Sequence, residues 1–128
     1  MPRPLILTID DSKALRLFIA KALANFQCDT DEASNGFNAF FAIERARPDL
    51  ILLDVLMPVM EGWETLRRLK AAPELADIPV IMLTSPADRP LIAELLTMGA
   101  AGTVMKPFNE AALLEAIKPV LKLKPAKR

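Results

Sequence analysis

Histidine and tyrosine are absent from this chain of 128 residues, and cysteine and tryptophan occur once each. Without histidine there is no Ser-His-Asp or Cys-His hydrolase, no histidine-liganded zinc and no phosphohistidine carrier. Any chemistry must rest on carboxylates, hydroxyls and lysine. The lone Cys28 cannot form an intrachain disulfide, and such usage suits a reducing compartment. An excess of one charge is missing too, since 16 Lys and Arg balance 16 Asp and Glu. That balance gives no footing for nucleic acid or an anionic membrane as partner. Long apolar runs are lacking as well. Leu5-Ile6-Leu7 is too short for a signal peptide and is closed by Asp10-Asp11, and nothing approaches the roughly 18 apolar residues of a membrane span. A cytoplasmic location is expected. With 52% hydrophobic and 25% charged residues the chain can bury a core as one domain, residues 1–128.

What is present is organised around Pro48 to Pro58. Leu50-Ile51-Leu52-Leu53 run without a polar break into Asp54, and Pro58 and Gly62 follow. Such a run reads as a strand buried on both faces, with the carboxylate where the strand leaves its sheet. Leu5 to Ile9 is the first strand, closed by Asp10-Asp11, and Ser12 is placed to cap a helix over Lys13 to Phe26. Cys28 to Ala33 reads as an acidic edge strand. Ser34-Asn35-Gly36 is turn chemistry before a helix that Pro48 stops.

A third helix is expected over Trp63 to Ala72, and a doubly buried strand over Ile78 to Leu83 that stops at Thr84-Ser85. Asp88 is the expected cap of a fourth helix, with Pro90 in its first turn. Thr103-Val104-Met105 forms a last strand before Lys106-Pro107. Asn109 caps a final helix, which Pro119 shortens or kinks. The core should occupy residues 5–121, leaving a basic, solvated tail over 122–128. Trp63 and the six phenylalanines read as packing residues.

Strands and helices alternate five times with short connections, which predicts a doubly wound parallel α/β sheet with right-handed crossovers. In that arrangement the C-terminal ends of all strands share one edge. Asp10, Asp11, Asp54, Thr84, Ser85 and Lys106 then converge. Three carboxylates close together in a partly desolvated cleft repel strongly. A divalent hard cation and an ammonium group relieve that repulsion, and with only oxygen ligands Mg²⁺ is the fitting ion. A carboxylate can also be a nucleophile that holds a phosphoryl group. The charge spread over three phosphoryl oxygens would meet the cation, the Lys106 ammonium and the Thr84 hydroxyl. Taken singly these residues are unremarkable: an Asp-Asp pair caps a helix, a lysine is solvated, Thr-Ser makes a turn. Their order at four strand ends is what signifies.

The chain resembles the receiver domains of bacterial two-component response regulators. The resemblance rests on Asp10-Asp11-Ser12, Ala33-Ser34-Asn35-Gly36, Pro48 to Gly62 with its Asp-x-x-Met-Pro core, Pro79 to Thr84, Gly99-Ala100 and Lys106-Pro107-Phe108. It implies a flavodoxin-like (βα)5 fold with strand order 2-1-3-4-5. It also implies that Asp54 accepts phosphate from a sensor histidine kinase or phosphotransfer protein. Asp10, Asp11, Asp54 and the Leu56 backbone carbonyl would bind Mg²⁺, Thr84 would contact the phosphoryl group, and Lys106 would pair with it. The Lys106-Pro107 bond is cis in the family, a state X-Pro bonds adopt only about 5–6% of the time.

Some positions depart from the family pattern. Thr103 stands where an aromatic is usual, Ser85 where a small residue such as Ala is common, and Pro86 follows it. Glu61 replaces the usual Asp or Asn before Gly62. Coupling through burial of an aromatic ring therefore cannot operate in its usual form. The expected function is a stand-alone phosphorylation-dependent switch, not an enzyme acting on other molecules. Its output would be a downstream protein target or a homodimer, through the face of helix 4, strand 5 and helix 5. The rival is a pseudo-receiver, a constitutive binding module with the fold but not the switch. An aspartyl-nucleophile phosphatase is a third reading. Those enzymes typically carry Asp-x-Asp after the first strand, whereas here the two acids are adjacent.

Overall fold

The computed structural model describes residues 3–55 and 61–126. Five strands, β1 (Leu5–Ile9), β2 (Asp29–Ala33), β3 (Leu50–Asp54), β4 (Val80–Thr84) and β5 (Gly102–Met105), form one sheet in the order β2-β1-β3-β4-β5. Every pairing is parallel. The helices are α1 (Lys13–Leu23), α2 (Gly36–Arg45), α3 (Gly62–Ala71), α4 (Ile92–Thr97) and α5 (Glu110–Ile117). A 3₁₀ turn, Pro86–Leu91, precedes α4.

Alternation along the strands splits the core in two. Leu7, Ile9, Ile51, Leu53, Val80 and Met82 point to one face and meet Ala39, Ala42 and Ile43 of α2, Leu66 and Leu69 of α3, and Leu95 of α4. Ile6, Leu50, Leu52, Ile81, Leu83 and Val104 point to the other and meet Ile19, Ala22 and Leu23 of α1 and Leu113 and Ile117 of α5. β3 and β4 are buried at every residue because helices cover both faces there, which is why their sequences do not alternate. The edge strand β2, Asp-Thr-Asp-Glu-Ala, buries only Ala33.

Local chemistry sets the helix ends. The side chains of Ser12, Asn35 and Asn109 accept hydrogen bonds from the amides of Leu15, Asn38 and Ala112 and so cap α1, α2 and α5. α5 ends at Ile117, two residues before Pro119. Gly99 has φ of 111°, a conformation open to glycine, and it ends the segment after α4.

Three expectations need correction. Asp88 does not cap an α-helix: it lies inside the 3₁₀ turn, and its carboxylate accepts from Ser85 N (2.8 Å) and Ser85 Oγ (3.0 Å). The α-helix proper starts only at Ile92, after Pro90. Second, the stretch read as a solvated tail runs back along the loop between α1 and β2. Gln27 N donates to Lys124 O and Ala126 N to Asn25 O, both at 2.8 Å, and Leu123 packs on the core. Leu123 sits between Lys122 and Lys124, and it docks while both lysines stay exposed. Third, not all aromatics are packing residues. Phe37 and Phe41 of α2 are more than half exposed and lie edge to face on each other at 5.3 Å. Among the described residues no helix is long and apolar enough to cross a membrane.

Candidate functional site

The parallel sheet brings the C-terminal strand ends to one edge. Ile9 pairs with Leu53, so Asp10, the residue after β1, lies beside Asp54, the last residue of β3. Thr84 ends β4 and pairs with Met105, and Lys106 follows β5 with its amide donating to Thr84 O (2.6 Å). The bond between Lys106 and Pro107 is cis. From this anchor the lysine side chain reaches across the sheet edge. Its Nζ lies 2.9 Å from Asp10 Oδ2 and 2.9 Å from Asp54 Oδ1.

Asp10 is fully buried and Asp54 is 6% exposed, whereas Asp11 faces solvent. The second oxygen of Asp10, Oδ1, accepts from Ser12 N at 2.8 Å, so the amide that opens α1 also orients this acid. Asp10, Asp11 and Asp54 each offer a carboxylate oxygen, all within 4.8 Å of one another. Three carboxylates against one ammonium leave two net negative charges, a deficit that one divalent cation would balance. The donor set is all oxygen and hard, with no thiolate or imidazole, and it fits Mg²⁺.

Burial pushes the Asp54 carboxyl up to about 6; the hydrogen bond and charge of Lys106 pull it down, and the charges of Asp10 and Asp11 push it up. Burial opposes the charge on Lys106, yet hydrogen bonds and charges from Asp10 and Asp54 outweigh it and raise the ammonium above its ordinary range. The site is therefore an ion cluster held together under strain of like charge.

Gly62, the first residue of α3, supports β3 from below. Its amide donates to Val55 O (2.7 Å), and a Cβ there would overlap the carbonyl oxygen of Asp54. Only glycine allows the chain to return this close to the strand end.

Of the residues singled out from sequence, Asp10, Asp11, Asp54 and Lys106 are brought together. Thr84 lies on the same edge and is buried, but its hydroxyl donates to Val104 O (3.3 Å) with the Met105 sulfur at 3.9 Å, away from the ion cluster. The Leu56 carbonyl, and the loop expected at Pro58, lie outside the described residues. Two residues went unnoticed in the sequence. Arg16 of α1 donates to Asp10 O (2.7 Å) and pairs with Glu32 of β2 (2.6 Å). The available signal was faint: an arginine four residues after the helix cap, and an acid near the end of the edge strand.

Known proteins share the sequence pattern and the fold of this chain. The family model for the response regulator receiver domain matches residues 6–118. Sporulation initiation phosphotransferase F of Bacillus subtilis is 34% identical over 119 residues, which cover 93% of this chain and 94% of that protein. The phosphate regulon transcriptional regulatory protein PhoB of Pseudomonas aeruginosa is 40% identical over 91% of this chain, which spans about half (51%) of that longer protein. Among solved structures, the chemotaxis response regulator CheY4 of Vibrio cholerae superposes with a TM-score of 0.86 at 31% identity, covering 93% of this chain and 99% of that one.

Proposed function

The chain belongs to the response regulator receiver domain family of two-component signalling, and we propose that it is a phosphorylation-dependent switch in which Asp54 is the acceptor. The observation that carries this reading is the bridging of Asp10 and Asp54 by Lys106 Nζ at 2.9 Å each, with Asp11 alongside. A carboxylate oxygen of Asp54 attacks the phosphorus of a phosphohistidine on a histidine kinase or phosphotransfer protein. The new O–P bond forms as the P–N bond breaks, and the electron pair stays on the imidazole nitrogen. Strand β3 presents the nucleophile at its end, and burial keeps the carboxylate poorly solvated and so reactive.

Lys106 already sits on Asp54, and it offers its ammonium to the phosphoryl oxygens as their charge develops. Asp10, Asp11 and Asp54, together with the Leu56 carbonyl that the family resemblance implies, would hold Mg²⁺, which when bound would supply charge neutralisation for the transferring group. The Thr84 hydroxyl has to leave Val104 O to reach the phosphoryl group, a rotation about χ1 that would link the site to β5. Phosphorylation adds about 1.5 to 2 negative charges here. The face formed by α4, β5 and α5, where Leu96 is exposed, is the proposed output surface for a target protein or a second copy.

The test is incubation with Mg²⁺ and acetyl phosphate followed by intact mass measurement. One phosphoryl group is expected on the wild type and none on Asp54→Asn. A wild type that stays unmodified ends this reading. The pseudo-receiver alternative draws on the engagement of Thr84 with Val104 and on Thr103 in β5. It predicts equal affinity for a partner with and without beryllofluoride, whereas the switch predicts a difference.

A further inference from the structure

Arg16 is an unusual residue to find half-way under a surface helix. Its side chain is only 13% exposed, and a desolvated guanidinium is costly unless it is paired. The pairing is divided. Nε meets Glu32 Oε1 at 2.6 Å, and Nη1 donates to the backbone carbonyl of Asp10 at 2.7 Å. The remaining groups of Asp10 are held as well: its amide donates to Ala33 O (3.1 Å), Oδ1 accepts from Ser12 N, and Oδ2 takes Lys106. The hydrogen bond from Arg16 to its carbonyl restrains how the planar peptide between Asp10 and Asp11 can turn.

That peptide decides where Asp11 points. Asp11 is exposed, and among the described residues no hydrogen bond reaches its carboxylate. The direction in which its Cα–Cβ bond sets out toward the cluster with Asp10 and Asp54 is thus set by the backbone, which the Ala33 carbonyl holds on the amide of Asp10 and Arg16 on its carbonyl. We propose that Arg16, braced by Glu32, is a positioning residue that locks the Asp10–Asp11 peptide and so holds Asp11 ready to bind a divalent cation. The proposal rests on the metal-assisted reading above, and it assigns a task to two residues that touch neither the metal nor the phosphoryl group. Lysine would not substitute, because one ammonium lacks the planar fork that reaches carbonyl and carboxylate together.

The experiment titrates the full chain with Mn²⁺, which is visible by electron paramagnetic resonance and needs no phosphorylation. Arg16→Gln should weaken Mn²⁺ binding about tenfold, as expected for loss of a group that orients a ligand. Phosphate uptake from acetyl phosphate at saturating Mg²⁺ should stay within about twofold of wild type, so the loss appears in metal half-saturation and not in the maximal rate. Glu32→Gln leaves Arg16 able to bond the Asp10 carbonyl and should weaken binding less than Arg16→Gln does. Should Arg16→Gln not fold, Arg16→Lys carries the same test, with a loss of Mn²⁺ affinity expected because one ammonium cannot reach carbonyl and carboxylate together. Wild-type Mn²⁺ affinity in the Arg16 variant that folds overturns the proposal, even where thermal stability falls. A wild type that binds Mn²⁺ but takes no phosphate would sink the switch and leave Arg16 in its role. A wild type that binds no Mn²⁺ sinks the role itself.

Discussion

The two edges of the sheet are built on opposite terms. At the C-terminal edge, Asp10, Asp54 and Thr84 are buried, one lysine serves two acids, and a third acid waits in solvent. At the N-terminal edge the loop from Asn25 to Gln27 meets residues 124–126 through backbone hydrogen bonds, over a layer of Leu23, Phe26, Cys28, Leu121 and Leu123. Apolar burial and satisfied backbone groups stabilise the second edge. Like charges under partial burial destabilise the first, and they are the groups the proposed chemistry needs. One sheet therefore separates the work of holding the fold from the work of the site. Its parallel strands make this possible, because they deliver all their beginnings to one side and all their ends to the other.

If that separation is real, damage at the N-terminal edge should cost stability and leave the site alone. Leu23 is completely buried, and Leu23→Ala should destabilise by about 2–5 kcal/mol in urea unfolding. Its Mg²⁺ half-saturation for phosphate uptake, measured where the variant is folded, should match wild type. A shifted metal dependence would show that the edges are coupled. Removing residues 122–128 deletes the bonds of Gln27 N and Gln27 Nε2 to Lys124 O and Pro125 O, and with them the packing of Leu123. The expected loss is about 2 kcal/mol, read from the urea midpoint, with phosphate uptake again unchanged. A truncated chain as stable as the full one would return residues 122–128 to the status of a loose end.

The smallest effect concerns the other edge and sharpens the contrast from its side. Asp54 holds its proton up to about pH 6 in the folded chain, against 3.8 for an ordinary aspartate. The folded state thus binds more protons than the unfolded state between these values, and stability falls as pH rises through that window. In EDTA the wild type should lose about 1–2 kcal/mol relative to Asp54→Asn between about pH 4 and pH 6. Chemical denaturation at both pH values checks it, and parallel profiles for the two proteins would show that the buried acid is not under strain.

Much of the fold was legible because its signals are local. The apolar runs of β3 and β4, the turn residues after them and the caps Ser12 and Asn109 each speak within a few residues. The candidate site was legible for a related reason: Asp10, Asp54, Thr84 and Lys106 stand where strands end, and a parallel sheet leaves them one edge to share. Less local features were not. The 3₁₀ turn at Pro86–Leu91 arises because Asp88 turns back to Ser85, a choice that competes with simple helix capping. The docking of Leu123 could not be seen from a lysine-rich composition, since the core it packs on is assembled from strands and helices far away in the chain. Arg16 offered nothing to periodicity, because what matters is a carbonyl and a carboxylate on two other elements.

The order of residues along the chain determined which segments are strands, which chemical groups stand at their ends, and that oxygen ligands and a lysine are the only tools at hand. Folding alone decided how those groups are shared. Lys106 divides itself between acids 96 and 52 positions away, the Thr84 hydroxyl turns to β5, and Arg16 holds a carbonyl rather than a metal ligand. The reason is one of range. Helix and strand preferences act over a handful of neighbours, whereas a charge, a hydroxyl or a guanidinium takes its partner from whatever the closed sheet has brought within about 3 Å of it.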